Sequence, residues 1–428
     1  MSTACHGAVR GCFSISAAAV IVIAAAVVLL SGGPQLAAGA RVLINHAELI
    51  RRRDDIATAA AAGGGGGGDG ACATAVAPFG YPCEEHEVTT QDGYILGLQR
   101  IPRGRIGGGG GGGGVTGVAA PARQPVLLQH GVLVDGMTWL LGSPEESLPY
   151  ILADQGFDVW IANNRGTRWS SRHVSLDPKS RSYWNWSWDD IVVNDMPAIG
   201  TLVALAAFSE GRMVDKLKSA ALLSPVAYLS HITTPIGVVL AKAFAGELIS
   251  DLLGIAEFNP ASYGQQPAFS PQVSNLVRTF CRKPGMNCYD LLTSFTAADI
   301  FLKYEPQPTS TKTLIHLAQT VRDGVLTKYD YVMPDANVAR YGQADPPAYD
   351  MAAIPAWFPI FLSYGGRDSL SDPADVALLL DDLRRRGHAG DRLTVQYLPQ
   401  LAHADFVIGV CAKDLVYNDV ISFFRRFH

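Results

Sequence analysis

This chain repeatedly builds a short apolar run that stops on a polar turn containing glycine. Pro125 to Gln129 ends at His130-Gly131. Asp158 to Ala162 ends at Asn163-Asn164-Arg165-Gly166, and Pro359 to Tyr364 ends at Gly365-Gly366-Arg367-Asp368. Runs of this length and composition read as strands buried on both faces. Ser147 to Gln155, between the first two, reads as a helix; Ala220 to Leu223 is a further apolar strand, and Leu393 to Leu398 alternates like one. Glu87 to Thr90 and Tyr94 to Leu98 form a strand pair around the turn Gln91-Asp92-Gly93. Strands alternating with helices predict an α/β fold with a mainly parallel sheet flanked by helices. In such a sheet functional groups collect at the C-terminal ends of the strands.

Residues 231–350 break that rhythm. They are helical and loop-rich, with apolar stretches such as Ile236 to Phe244 and several prolines, and read as an insertion covering the functional edge. The first 40 residues read as a secretory signal: Arg10, then 14 apolar residues from Ala17 to Leu30, then a small-residue cleavage site at Ala38-Gly39-Ala40. A membrane span needs ~20 apolar residues, so no stable span is expected. Residues 41–75, with six glycines at 63–68, form an Ala/Gly-rich linker, and the ordered domain is expected over 76–428. A second tract, Gly107 to Gly114, lacks the Lys-Ser/Thr of a phosphate loop and reads as a swollen hairpin.

A net charge of −5 with scattered Lys and Arg gives no footprint for nucleic acid. Cys5 and Cys12 would leave with the signal. Cys72, Cys83, Cys281, Cys288 and Cys411 remain, an odd number that leaves at least one unpaired within the chain, and Cys281 and Cys288 are close enough to bridge locally. No CxxC pair or matching His spacing calls for a metal, and nothing calls for a cofactor.

Three strand ends carry candidate chemistry. After His130-Gly131, the Val132 amide is a candidate oxyanion donor, because a glycine lets the backbone turn and aim the next N–H groups into a cleft. Asp368, delivered by an apolar strand and two glycines, suits a carboxylate that orients a histidine. His403, in the loop after the last strand, follows in the acid-then-base order. Asp372 and Asp375 compete with Asp368, but Ser371-Asp372-Pro373 reads as a helix start where carboxylates cap. Asp405 competes for His403, though residues two apart rarely converge.

A nucleophile should precede Asp368, yet no Gly-x-Ser-x-Gly occurs. The nearest imitation is Ala207-Phe208-Ser209-Glu210-Gly211. An elbow needs a strand, a sharp turn and then a helix; Thr201 to Phe208 is Ala- and Leu-rich and reads as a helix that Ser209-Glu210-Gly211 stops. Ser224, before Pro225, is a weaker candidate still. Without its serine a triad cannot form an acyl-enzyme.

Taken together, Tyr81-Pro82-Cys83-Glu84-Glu85-His86, Thr89 to Leu96, Leu128-Gln129-His130-Gly131, Asn163 to Thr167, Trp186-Ser187-Trp188-Asp189-Asp190, Gly365 to Asp368 and His403-Ala404-Asp405-Phe406 resemble the acid lipase family. That family contains the gastric- and lysosomal-type triacylglycerol and steryl ester lipases, and the likeness is to its plant members, over about Val76 to Phe424. The resemblance implies an α/β-hydrolase fold with a helical lid, and lipid-ester hydrolysis at a lipid–water interface in lipid catabolism. It also implies an extracellular or lysosome- or vacuole-like destination. It assigns the relay acid to Asp368, the base to His403 and an oxyanion amide to Val132. Family members have the rest of a helix, a strand and Gly-His-Ser-x-Gly ahead of Thr-Leu; this chain passes from Asp195-Met196-Pro197-Ala198 directly to Ile199-Gly200-Thr201-Leu202. A second apparent gap follows Thr296-Ala297, where plant members carry further cysteines. The expectation is a chain without its central strand and nucleophile, inactive and unstable. The alternative is a non-catalytic relative that binds lipid or a partner. Asn185-Trp186-Ser187 is a glycosylation sequon in tryptophan-rich surroundings.

Overall fold

A computed structural model describes residues 70–105, 122–195, 200–232, 256–259 and 304–427. The leader, most of the linker, the Gly107 to Gly114 tract, the Cys281/Cys288 pair and most of the 231–350 insertion lie outside the described residues. The chain divides into two compact units, Met1–Pro78 and Phe79–His428. In the first, Cys72–Val76 is a short helical stretch with Cys72, Ala75 and Val76 buried. Folded structure therefore begins a few residues earlier than composition suggests, inside the stretch assigned to the linker, because the glycine run has already given way to apolar residues. The strands and helices described next belong to the second unit.

Its strands form two separate main sheets. In the first, β1 (Glu84–Thr89) pairs antiparallel with β2 (Tyr94–Ile101), β2 antiparallel with β4 (Asp158–Ala162), and β4 parallel with β3 (Pro125–Gln129); β5 (Arg172–His173) adds to β2. In the second, β6 (Ala220–Leu223), β9 (Ile360–Gly365) and β10 (Leu393–Leu398) are all parallel, with β9 in the middle. A small pair, β7 (Glu257–Phe258) and β8 (Thr309–Ser310), belongs to the inserted region. Among the described residues no ladder joins β3 to β6.

That break leaves a signature in burial. The central strand β9 has five of its six residues buried. In β6, three of four are only half-buried, and β3 alternates between buried and part-exposed. Strands inside a parallel sheet are normally covered on both faces, so β3 and β6 behave as edges.

Helices and one shared core hold the halves together instead of a ladder. Helix α1 (Leu148–Asp154) packs on β4, and α2 (Trp188–Asn194) packs on α3 (Thr201–Ser209). Val203, Leu205, Ala206, Ala207 and Phe208 of α3 share one apolar cluster with Leu96 of β2, Leu222 of β6, and Ile360 and Leu362 of β9. Phe208 meets Phe358 edge to face at 5.0 Å. Helix α4 (Thr311–Asp323) and α5 (Pro334–Tyr341) lie in the later part of the inserted region, and α6 (Pro373–Arg385) covers β9 through Val376, Leu379, Leu380 and Leu383. Each starts or stops as its sequence dictates. Ser310 caps α4, whose left-handed Gly324 ends it; Pro334 opens α5, and Gly342 ends that one.

Candidate active site

Strand β9 and the loop after β10 build the acid–base side. Gly365 and Gly366 follow the apolar strand because nothing larger fits. A Cβ on Gly365 would lie 2.1 Å from the Leu401 carbonyl oxygen, and one on Gly366 would lie 2.7 Å from the Pro399 Cα. The closely approaching loop is pinned by Arg367 N–H donating to Leu401 O (3.1 Å) and Gly366 N–H donating to Leu398 O (3.1 Å). This contact places His403 against Asp368. The His403 Nδ1 lies 2.9 Å from Asp368 Oδ2 and 3.2 Å from Oδ1.

Asp368 is 2% exposed, and its Oδ1 also accepts the Leu370 (2.9 Å) and Ser371 (2.7 Å) amides. Burial alone would raise its carboxyl; the His403 ring and the two amides outweigh that and hold it below the usual carboxylate range. Burial likewise pushes the His403 ring down, while the Asp368 charge more than compensates and holds it above its ordinary value. With Nδ1–H committed to the carboxylate, Nε2 is the nitrogen left to take a proton. It has no hydrogen-bond partner among the described residues, and the side chain stays 28% exposed.

The rival carboxylates have other partners. Asp372 caps α6, accepting the Ala374 amide at 2.8 Å. Asp375 is buried and holds His231, accepting from its backbone amide (3.0 Å) and facing its Nδ1 (2.7 Å). Asp405 accepts the Ala402 amide at 2.8 Å and opens α7 (Asp405–Ile408), shaping the histidine loop from outside the pair.

The end of β3 is organised differently. His130 is buried with both ring nitrogens occupied: Nε2 accepts the Asn164 amide (3.1 Å), which leaves Nδ1–H to donate to Gly131 O (2.8 Å). Burial pushes its pKa down, so the ring is a neutral tie between the ends of β3 and β4. Val132 lies at the turn that follows, and its amide donates to no group among the described residues. Leu133 beyond it has φ +62°, a strained value for a side chain with a Cβ, and its carbonyl accepts the Gln307 amide at 2.8 Å. Glu305 backs the same loop. Its Oε1 accepts from Asp135 N (3.2 Å) and Thr138 Oγ1 (3.0 Å), while burial, reinforced by the Asp135 charge, pushes its carboxyl up to about 9.

Between these two sides lies the junction. Asp195, last described residue of the incoming segment, is fully buried against Arg165. The guanidinium Nε donates to its two carboxylate oxygens at 2.8 and 2.9 Å, Nη2 bonds it as well, and Nη1 reaches Asp92 at 2.7 Å. The Arg165 guanidinium also sits 3.9 Å from the Tyr94 ring centroid. On the outgoing side, Gly200 N–H donates to His130 O at 2.7 Å, with φ +28°, and a Cβ there would lie a tight 3.3 Å from the Gly131 Cα. Thr201 Oγ1 donates to Ser224 O (3.4 Å) and accepts the Val226 amide (3.0 Å). The C-terminal ends of β3 and β6 thus converge on Gly200-Thr201, and α3 starts there.

The two serines considered from sequence are both engaged. Ser209 is the last residue of α3 and its hydroxyl donates back to Ala206 O at 2.8 Å. Ser224 is buried at the end of β6 with φ +52°, and its hydroxyl donates to the His403 carbonyl at 3.2 Å. Sequence reasoning treated Ser224 only as a poor nucleophile. Its place here is as a support for the histidine loop, a contact 179 positions away that no local pattern announces. Glu305 and Leu133 were missed for the same reason. No cluster of three or more His, Cys, Asp or Glu side chains able to hold a metal ion forms among the described residues.

Comparison with known proteins matches residues 72–143 to the partial alpha/beta-hydrolase lipase region. Triacylglycerol lipase 2 of Arabidopsis thaliana is 51% identical over 385 residues, covering 83% of this chain and 88% of the relative. Triacylglycerol lipase 1 of the same plant is 35% identical over 382 residues (83% and 90%), and gastric triacylglycerol lipase of Rattus norvegicus 32% over 376 (80% and 89%). In each case the aligned length exceeds the share of these 428 residues that enters it, so each relative has residues with no counterpart in this chain.

Proposed function

Since the chain belongs to the acid lipase family of α/β-hydrolases, we propose that it carries the acid–base half of lipid-ester hydrolysis without the half that forms the acyl-enzyme. In the complete reaction a serine hydroxyl attacks the ester carbonyl while a histidine takes its proton. A buried carboxylate stabilises the resulting imidazolium, and backbone amides stabilise the tetrahedral oxyanion. His403 and Asp368 take the base and acid roles, and the Val132 amide takes one oxyanion position. The substrates of the reaction are triacylglycerols or steryl esters presented at a lipid–water interface.

One observation carries this reading. At the point where β3 and β6 converge the chain offers Gly200-Thr201 opening a helix, with no serine-bearing elbow ahead of it. Neither Ser209 nor Ser224 is free to serve, since each hydroxyl is spent on a backbone carbonyl. Losing the nucleophile also loses the amide that follows it, a second oxyanion donor. The shortened aligned share of this chain supports a deletion relative to its family. The edge-like burial of β3 and β6 supports low stability, because unpaired backbone and a core gap both cost free energy. Disulfide-bonded Cys72, Cys83 and Cys411 support folding in an oxidising, secretory compartment.

The test is direct. Purified chain incubated with a fluorophosphonate probe is expected to show no serine labelling, and a triacylglycerol emulsion no acid release above buffer. Labelling at any serine, abolished by prior heat denaturation, overturns the proposal.

A further inference from the structure

We infer that Asn185 is an N-glycosylation site, modified while the chain is being made and before its segment folds; this rests on the secretory reading above. Asn185-Trp186-Ser187 is the only Asn-x-Ser/Thr sequence in the chain. The fold treats its three residues oppositely. Asn185 is exposed, and its side-chain amide makes no hydrogen bond among the described residues; Trp186 and Ser187 are each 2% exposed. The Ser187 hydroxyl is consumed by the start of α2, where it accepts the Asp189 amide at 3.2 Å while Ser187 N–H donates to Asp190 at 2.8 Å. A transferase that must read the hydroxyl can do so only in the unfolded segment, whereas the finished protein still leaves Asn185 exposed.

The surroundings suit a sugar there. Asn185 lies on the wall of a cavity of about 450 Å³ whose other lining includes Arg181, Trp184, Lys312, Tyr329 and Tyr331. Half-buried tyrosine rings offer apolar faces for sugar C–H groups, and the cationic and hydroxyl groups beside them can hydrogen-bond sugar hydroxyls. A glycan at this position therefore has a place to lie, and need not be forced against packed surface.

The chemistry is a group transfer from a polyprenyl-diphosphate-linked oligosaccharide. The Asn185 Nδ2 forms a bond to the anomeric carbon as the bond from that carbon to the diphosphate oxygen breaks. One amide proton passes to the transferase's base, and the polyprenyl diphosphate departs.

The test uses the full chain, with its own N-terminus, expressed in a eukaryotic secretory cell and extended after His428 by an Asn-Gly-Thr control acceptor. Endoglycosidase digestion read by gel mobility, with peptide mass at Asn185, is expected to show two glycans. Asn185→Gln should leave one. Ser187→Asp should also leave one while keeping a capping carboxylate for α2, and Ser187→Thr should keep both, which separates loss of the acceptor from loss of the fold. A glycan on the control alone overturns the proposal and leaves the secretory reading standing. No glycan on either acceptor overturns both.

Discussion

The two half-sheets end at the same place but are finished in different ways. On the β9–β10 side, the residues that matter are fixed by neighbours within one parallel pair: Gly365 and Gly366 admit the loop, Leu401 pins it, and Asp368 receives His403. On the β3–β6 side, two strand ends lean on a single glycine and threonine that belong to a helix. None of the contacts that hold the acid–base pair needs a ladder between β3 and β6. A nucleophile has no such independence, because its strand is what would present it. The largest test of this comparison is restoration. Inserting between Asp195 and Gly200 the corresponding segment of a relative that carries Gly-x-Ser-x-Gly should join the sheets and raise ester hydrolysis from background by about 10⁶-fold, the scale on which triad residues act. The same insert with its serine changed to alanine should restore the melt without the activity. If the serine-bearing insert folds and stays inactive, the His403–Asp368 side is not the intact half it is taken to be.

The next largest effect concerns how the incoming segment is anchored. Arg165 is fully buried and bonds both Asp195 and Asp92 while lying on Tyr94. Arg165→Met should cost about 3–5 kcal/mol, because it strands the buried Asp195 carboxylate. Chemical denaturation would read this as a lower midpoint at unchanged slope. A loss under about 1 kcal/mol would mean the first half-sheet does not depend on this anchor, and that the junction is looser than its hydrogen bonds suggest.

On the other side of the comparison, Gly365→Ala should cost about 1–3 kcal/mol as overpacking against the Leu401 carbonyl. It should also push His403 away from Asp368. The His403 pKa, raised in the native protein by the carboxylate, should then fall toward its ordinary value in a proton NMR titration. An unchanged titration would show that the loop can yield without moving its histidine.

Much of this was legible in sequence wherever the determinant is local. The strands Pro125–Gln129, Asp158–Ala162, Ala220–Leu223 and Leu393–Leu398 have the bounds their apolar runs imply, and α3 ends at Ser209 where a stop was read. Asp372 caps a helix, as its Ser-Asp-Pro setting suggests. What could not be read is what depends on residues distant in sequence. Ser224 holds the His403 carbonyl, Asp375 holds His231, and Glu305 sits under the loop after Val132. A serine before a proline, or a glutamate before one, carries no sign of its distant partner. The folded start at Cys72–Val76 was missed because composition changes gradually there while burial does not.

Glu305 supplies a last effect, one whose pH dependence has the sign of His403 and is opposite to that of Asp368. Its folded pKa lies near 9, raised by burial and by the Asp135 charge, so the folded protein binds a proton that an unfolded chain releases at ordinary carboxylate pH. Between those two values folding takes up a proton, and stability falls as pH rises. Asp368 behaves in the opposite sense: its folded pKa is lowered, so its contribution is present above the unfolded value and is lost as pH falls through the folded one. His403, raised, contributes below its unfolded pKa and loses that contribution as pH rises through the folded one. Glu305→Gln removes the first dependence and leaves the other two. The variant should match the parent near pH 4 and be the more stable of the two near pH 8, where the folded parent must keep a proton that its unfolded chain releases. Thermal melts at the two pH values measure it. A variant that gains nothing at pH 8 would show that Glu305 is already ionised there, its charge balanced by Arg168. The loop after β3 would then be held by charge, as the β9 side is, and this contrast between the two halves would disappear.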